Sequence, residues 1–299
     1  MNNHTFGRGR FLSMLTGLAS LLILPGQAEE KRAGAGAKLF VIGASASAGF
    51  IQEEIMGGVR TSEYRLKYYL DAALSAPHPT VESATSALFF LAVPTVAKEQ
   101  IDKAVAAKPT AVIGIDFLFW FCYGRRPENL RLAMLEDGLA LLEQIQEPLV
   151  IGDLPDASSA VGGILHREEM PKLETLAAAN RRIREWAASR PEVMVLPLSD
   201  FMVTCKADEA LKTGPVDWPR GTTRKLLQPD QLHAGRTGNA ALALSIMASL
   251  CERGLIPKES VRWDAEAVKA QAILKAEPEK EVIKKQIENK QARPLLELK

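Results

Sequence analysis

Short apolar runs alternate with longer amphipathic segments along most of the chain after residue 37. Four runs are almost entirely apolar, as strands buried on both faces are: residues 38–42, 110–115, 148–151 and 193–198. Other segments repeat apolar residues every three or four positions, as helices do: residues 63–74, 96–107, 173–189 and 239–253. The alternation predicts βαβ crossovers and an α/β fold, a three-layer α/β/α sandwich with a mostly parallel central sheet.

The two ends of the chain depart from this pattern. Residues 1–28 combine a basic, acid-free start, an apolar run over 11–24 and Ala28 as a small residue at a cleavage point, which is typical of an export signal. The run is short for a bilayer span, so we expect no stable membrane span after cleavage. Residues 29–36 are interpreted as a flexible leader. Residues 256–299, rich in Lys and Glu, are interpreted as a charged extension, helical or partly disordered, that packs through Val268, Ile273 and Leu274.

Composition and charge narrow the class of protein. The chain has 299 residues and is 47% hydrophobic, which is ample for one core domain over residues 37–255. Its 37 basic residues balance 36 acidic ones, which excludes a nucleic-acid binder that depends on a basic excess. Three cysteines, Cys122, Cys205 and Cys251, exclude a disulfide scaffold. We favour buried, reduced thiols over one disulfide and one free thiol.

Histidine is scarce, and this limits any histidine-dependent chemistry to His4, His78, His166 and His233. His4 falls within the export signal, His78 lies between two prolines, and His166 precedes a charged helix start. His233 follows Asp230 by three residues in the loop before the last predicted helix. A carboxylate at this spacing can reach the imidazole, fix its tautomer and stabilise the imidazolium. Only His233 is therefore expected to have a carboxylate partner.

A run of small residues, Gly43 to Gly49, ends the first predicted strand and carries two serines. Ligands of parallel α/β sheets bind beyond the carboxyl ends of the strands, and a helix start there offers free backbone N–H groups to an oxyanion. A serine nucleophile also needs a base within hydrogen-bonding reach. We favour Ser45 as this nucleophile, because Ser47 falls in the first helical turn, where its hydroxyl caps or packs.

Together, the two motifs resemble the SGNH/GDSL hydrolase family. Gly43 to Gly49 matches the family's Gly-Asp-Ser-x-(Ser/Thr)-x-Gly block except at Ala44, where the family has aspartate, and Asp230 to His233 matches its Asp-x-x-His block. Segments between them extend the resemblance over residues 37–255. It implies a flavodoxin-like fold and ester hydrolysis without metal or organic cofactor. Carried over, Ser45 is the nucleophile, His233 the general base and acid, and Asp230 its orienting partner.

The resemblance fails at the oxyanion hole, which in the family uses the nucleophile's N–H, a glycine after the second strand and an asparagine. The corresponding turn here, residues 82–86, has no glycine, and Ala84 takes its place. The family's asparagine belongs to a Gly-x-Asn-Asp segment. If Gly114 is aligned with its glycine, Asp116 stands at the asparagine position; if Asp116 is aligned with its aspartate, Ile115 stands there. An ionised aspartate only accepts hydrogen bonds, whereas a protonated one donates. We expect a non-standard oxyanion hole built from Ser45, Ala84 and Asp116.

Structural roles are expected for other residues near the carboxyl ends of the predicted strands. Asp153 and Asp156 follow the third apolar run, and turn or capping roles are favoured over contact with substrate. The aromatic run 117–123 supplies an apolar wall beside Asp116, and most of it is assigned to the core.

These observations lead to three hypotheses of function. The first is an exported serine ester hydrolase, periplasmic or extracellular, acting on acyl or acetyl groups of lipid or carbohydrate esters. The alternative is a protein of the same fold that binds an acyl or carbohydrate ligand without efficient turnover, motivated by Ala44 and Asp116. A nucleotide-binding oxidoreductase is disfavoured, because the glycine spacing is not Gly-x-Gly-x-x-Gly and Asp230 and His233 are left unexplained.

Overall fold

The computed structural model describes residues 36–54 and 57–296, with side chains up to residue 289. The predicted export signal and nearly all of the leader lie outside these residues. The strands are β1 (Leu39–Gly43), β2 (Glu82–Thr85), β3 (Ala111–Gly114), β4 (Leu149–Gly152), β5 (Val193–Leu196), β6 (Leu211–Thr213) and β7 (Val216–Trp218). The α-helices are α1 (Ser45–Ala48), α2 (Leu66–Ala73), α3 (Val93–Ala107), α4 (Phe119–Cys122), α5 (Arg131–Leu142), α6 (Leu173–Ala188), α7 (Leu198–Ala207), α8 (Arg236–Glu252) and α9 (Ala265–Leu296).

Strands β1 to β5 form one parallel sheet in the order β2-β1-β3-β4-β5, and β6 and β7 form a small antiparallel hairpin. The α/β prediction, with a parallel sheet flanked by helices, is confirmed. The winding reverses between β1 and β3, which opens a crevice at the carboxyl ends of these strands. Ser45 directly follows this edge of β1.

Both faces of the sheet are buried, which explains the continuous apolar runs. Successive residues of β1 alternate between two cores: Leu39 and Val41 join α2, α7 and α8 on one face, and Phe40 and Ile42 join α3 to α6 on the other. A strand that packs on both sides has no polar face to show in its sequence.

Several elements differ from the sequence-based expectation. The segment 82–86, expected as a turn, is largely strand β2, whose exposed and partly exposed residues give no apolar run. Helices α5 and α7 and the β6–β7 hairpin were not predicted. The fourth predicted strand ends at Leu196, because α7 begins at Leu198, directly after Pro197.

The charged C-terminal segment forms helix α9, which packs against α2 and the short helix Val59–Tyr64. Up to residue 289, the buried residues of this helix are Val268, Ala272 and Ala276, which recur every four positions on one face. The expectation that Leu274 packs there is wrong: its exposed fraction is 62%, since it points away from that face. In the part of the chain that the structure describes, no helix is long and apolar enough to cross a membrane.

Candidate active site

The turn after β1 places Ser45 at the first position of α1, and two glycines make this turn possible. Gly43 has φ +140°, and a Cβ there would lie 2.1 Å from Oδ1 of Asp116. Gly49 ends α1 at φ +88°, and a Cβ there would lie 2.4 Å from the carbonyl oxygen of Thr61. Residues other than glycine rarely adopt such angles, and here they would also collide with neighbours. The small residues of the motif thus hold Ser45 at the carboxyl edge of the sheet.

Ser45, His233 and Asp230 form one continuous hydrogen-bonded triad. Nε2 of His233 lies 2.8 Å from Oγ of Ser45, and Nδ1 lies 2.8 Å from Oδ2 of Asp230. Oδ1 of Asp230 accepts bonds from the backbone N–H groups of Leu232 at 3.0 Å and His233 at 2.9 Å. The structure therefore brings together the three residues that sequence reasoning selected, in the arrangement by which a base activates a serine hydroxyl.

Asp230 is held as a carboxylate by its contacts. Burial raises the cost of its charge, but the side-chain hydrogen bond from His233, the charge of that imidazole and the backbone N–H groups outweigh burial, so the pKa lies below the usual aspartate value. An ionised Asp230 accepts from Nδ1–H and leaves Nε2 of His233 free to take a proton.

Ser47, the rival nucleophile, is engaged elsewhere. Its hydroxyl lies 2.6 Å from Oδ1 of Asp116, and its backbone N–H donates to Oδ2 at 3.1 Å. Ser47 is 1% exposed, and its hydroxyl faces Asp116 rather than the imidazole. The geometry favours Ser45 as the nucleophile.

Asp116 contacts the turn that carries Ser45, and it also lines a pocket beside Ser45, described below. Its burial raises the pKa above the usual aspartate value, while hydrogen bonds from the side chain and backbone of Ser47 oppose the shift without cancelling it. The expected proximity of Asp116 to Ser45 is present, but both carboxyl oxygens bind Ser47.

Ala84 is not brought to the site. It lies within β2, opposite Ile42 of β1, and is not among the residues that line the pocket at Ser45. Its assignment to the oxyanion hole depended on a turn over residues 82–86, and strand β2 takes up most of that segment. The strand ends at Thr85, and the next residue, Ser86, donates its N–H to the carbonyl of Gly43 at 3.1 Å.

A small, mostly apolar pocket opens beside Ser45 and His233. Its volume is about 50 Å³. The buried side chains that form its apolar wall are Ile115, Phe119, Leu154, Leu198, Phe201, Met202, Leu227 and Leu242. Asp153 also lines it, but this carboxylate accepts from the N–H and hydroxyl of Ser199, both at 2.7 Å, and so caps α7. The pocket can take an apolar group attached to a carbonyl at Ser45.

The structure contains a second histidine–aspartate pair that the sequence did not predict. Nε2 of His78 lies 3.1 Å from Oδ1 of Asp71, although no carboxylate partner was expected for His78. Asp71 sits in α2 and His78 in the loop before β2, at the opposite edge of the sheet from Ser45. Asp71 also binds Lys275 of α9 at 2.6 Å, so the pair belongs to the docking of that helix.

Cys122, Cys205 and Cys251 are free thiols, and the first two are buried. In the residues that the structure describes, no cluster of three or more His, Cys, Asp or Glu side chains could hold a metal ion. Asp156 accepts from the N–H of Ser158 at 2.8 Å, a turn contact as expected.

Comparison with known proteins gives little beyond this geometry. No model of a protein family matches the chain, and no curated protein matches it. Among solved structures, the chain is similar to a gut microbial diltiazem-metabolizing enzyme at 13% sequence identity and a TM-score of 0.42. The alignment covers 72% of this chain and 47% of that enzyme, so the chain spans about half of the enzyme's length. The assignment of function therefore depends on the site itself.

Proposed function

We propose that the protein is an exported serine hydrolase of the SGNH/GDSL type that cleaves esters through an acyl-enzyme on Ser45. The supporting observation is the pair of 2.8 Å contacts that joins Ser45 to His233 and His233 to Asp230. A serine hydroxyl alone is a weak nucleophile, and it becomes reactive when an oriented imidazole can accept its proton. The apolar pocket beside Ser45 supplies a place for the acyl group.

In the first half of the reaction, Oγ of Ser45 attacks the ester carbonyl carbon as its proton passes to Nε2 of His233. The carbonyl oxygen becomes an oxyanion, and Asp230 stabilises the imidazolium. As the tetrahedral intermediate collapses, the bond to the alcohol oxygen breaks. His233 then returns the proton to that oxygen, which leaves an acyl group on Ser45.

In the second half, water takes the place of the alcohol. His233 accepts one proton from the water as the water oxygen attacks the acyl carbon, and the new tetrahedral intermediate releases Oγ of Ser45. The proton returns from Nε2 to Oγ, and the carboxylic acid leaves. Each proton that His233 accepts is returned within the same half-reaction, so no external acid or base is consumed.

The backbone N–H of Ser45, at the start of α1, is the donor that we assign to the oxyanion. In either alignment, with Asp116 or Ile115 at the position of the family's asparagine, that donor is replaced, and a missing oxyanion donor typically lowers turnover by about 100- to 1000-fold. We therefore expect a slow or specialised esterase.

Hydrolysis of a short-chain aryl ester tests this proposal. The wild-type protein should release the alcohol, and Ser45→Ala should abolish release while leaving the fold intact. Val203→Ala, a surface change on α7 with 62% exposure at the native residue, is the matched control and should retain full rate. Unchanged hydrolysis in Ser45→Ala would place the reaction elsewhere.

A second candidate function is ligand binding without turnover. The observation that favours it is that both carboxyl oxygens of Asp116 bind Ser47, so Asp116 supplies no hydrogen-bond donor toward Ser45 in place of the family's asparagine. This candidate predicts no turnover of any simple ester by the wild-type protein, together with binding of an acyl or carbohydrate ligand that Met202→Ala weakens.

Export is proposed from residues 1–28 alone. A basic start, an apolar run and a small residue at position 28 predict cleavage after Ala28. Mass spectrometry of the protein from its native cell envelope or medium should therefore find a chain that begins at Glu29. Recovery of an intact amino terminus from the cytoplasm would contradict the proposal.

A further inference from the structure

The 2.8 Å contact between Ser45 and His233 joins residues 188 positions apart, which belong to separate short segments. Ser45 begins the four-residue helix α1 after β1, and His233 stands in a loop that closes where Leu227 pairs with Ala234. A serine and an imidazole in separate segments need a contact that fixes their spacing, because a displacement of about 1 Å can cost about 100-fold in rate.

Gln228 bridges the two segments with its buried side-chain amide. Nε2 of Gln228 donates to the carbonyl of Phe50 at 2.8 Å and to that of Ala234 at 2.9 Å, and Oε1 accepts from the N–H of Gln52 at 3.1 Å. Its backbone N–H also donates to the carbonyl of His233 at 2.8 Å. Both N–H donors and the oxygen of the amide are used, although Gln228 is only 7% exposed.

Phe50 continues this bridge to both reacting residues. Its backbone N–H donates to the carbonyl of Ser45 at 3.0 Å. Its ring stacks on the imidazole of His233 with centroids 4.1 Å apart and planes 25° apart. Phe50 therefore holds the backbone of the nucleophile at one end and covers one face of the base at the other.

We propose that Gln228 and Phe50 are positioning residues that set the distance and ring orientation of His233 relative to Ser45. This inference rests on the proposed ester hydrolysis. A buried amide costs free energy unless its groups are hydrogen-bonded, and here the hydrogen bonds go to the two segments that carry the reacting side chains. Neither side chain accepts or donates a proton in the reaction, so each acts only by holding Ser45 and His233 in place.

The test compares Gln228→Met, which keeps the volume and removes all three side-chain hydrogen bonds, with Gln231→Met in the same loop, whose amide bonds the carbonyl of Gln228 at 3.3 Å and does not reach the segment of Ser45. Phe50→Leu removes the stacked ring, and Phe50→Tyr retains it. Gln228→Met and Phe50→Leu should lower kcat by about 10- to 100-fold with little change in KM, whereas Phe50→Tyr and Gln231→Met should stay within about twofold of wild type.

Nuclear magnetic resonance of ¹⁵N-histidine-labelled protein gives a second readout that does not depend on turnover. The Nδ1–H proton of His233, bonded to Asp230, should exchange with water faster in Gln228→Met and Phe50→Leu than in wild type, Phe50→Tyr or Gln231→Met. Assignment of the resonance uses His233→Gln.

The outcomes separate the two proposals. Folded Gln228→Met and Phe50→Leu variants with wild-type kcat and unchanged exchange of the His233 Nδ1–H proton would overturn the positioning role. The same holds if these variants lose thermal stability while kcat and the exchange rate stay at wild-type values. A wild-type protein that hydrolyses no ester would overturn the proposed function, and the exchange comparison would still decide whether the bridge orients the imidazole. If Gln228→Met does not fold, Phe50→Leu decides, because Phe50 is partly exposed.

Discussion

Asp116 is a carboxyl group that the catalytic scheme does not use, yet it contacts the turn of the nucleophile. Its oxygens bind the hydroxyl and N–H of Ser47 at 2.6 and 3.1 Å. Burial raises its pKa above the usual aspartate value despite these bonds. The native protein therefore holds a proton on Asp116 at a pH at which the unfolded chain, with a pKa of about 3.9, has released it.

This shift has a defined consequence for stability. Where the native state binds more protons than the unfolded state, the free energy of unfolding falls as pH rises. From about pH 4 upward to the native pKa, wild-type protein should thus lose stability relative to Asp116→Asn, whose amide can still bond Ser47 but does not titrate. Urea unfolding of both proteins over this range measures the difference.

The exposed Asp200, in the first turn of α7, provides the control substitution Asp200→Asn. Its unfolding free energy should follow the wild-type curve. A difference between wild type and Asp116→Asn that is the same at every pH would show that burial of Asp116 does not affect its proton affinity.

Helix α7 lines the pocket with one face and is exposed to solvent on the other. Met202 lines the pocket and is 4% exposed, whereas the next residue, Val203, is 62% exposed. The pocket volume is about 50 Å³, about a third of the 150 Å³ in an apolar cavity that accepts benzene. An acyl group of about two to four carbons fits such a space.

The pocket predicts selectivity for short acyl chains. In a series of esters with one alcohol, kcat/KM should be highest for chains of about two to four carbons and fall for longer ones. Met202→Ala should extend the optimum, with each additional methylene that enters the pocket worth about 0.8 kcal/mol, or about fourfold. Val203→Ala should leave the profile unchanged. Equal rates for short and long chains in the wild-type protein would argue that the acyl group does not enter this pocket.

Helix α9 is both strongly charged and tightly packed, so substitutions on its two faces test how it docks on the domain. Ala272 is fully buried against the domain, and Leu274, two residues later, is 62% exposed. Ala272→Glu should lower the free energy of unfolding by about 3 kcal/mol or more, since it buries a charge without a partner. Leu274→Glu should change it by less than about 0.5 kcal/mol. Denaturant unfolding measures both, and equal effects would mean that α9 does not dock through this face.

The elements also show which parts of the fold the sequence predicts. Strands β1, β3 and β4 are buried on both faces and appear as apolar runs, so their order and burial follow from pattern. Strand β2 lies at the edge of the sheet with Glu82 exposed, and it carries no such run. Helix α5 contains Arg131, which is 2% exposed and satisfied by backbone carbonyls such as that of Cys122 at 2.6 Å. Contacts of this kind form only in the folded chain and leave no periodic signal.

The parallel sheet brings motifs that are distant in the sequence together at the carboxyl ends of its strands. The motif at Ser45 and the motif at Asp230 and His233 were predictable, because each is local and its chemistry is readable from residue type and spacing. The bonds of Asp116 to Ser47 and of His78 to Asp71 were not, since both depend on how separate elements pack. The sequence thus predicted the three residues that form the triad, while the contacts that position them depend on the fold.

Labelling with a fluorophosphonate probe, followed by mass spectrometry of the modified peptide, shows whether the hydroxyl of Ser45 is an activated nucleophile. The probe reacts with a serine only when a neighbouring base activates its hydroxyl. Wild type and Ser47→Ala should be labelled with the adduct on Ser45, and Ser45→Ala should not be labelled. No labelling of wild type, or an adduct on Ser47 that disappears only in Ser47→Ala, would contradict the assignment of Ser45 as the nucleophile.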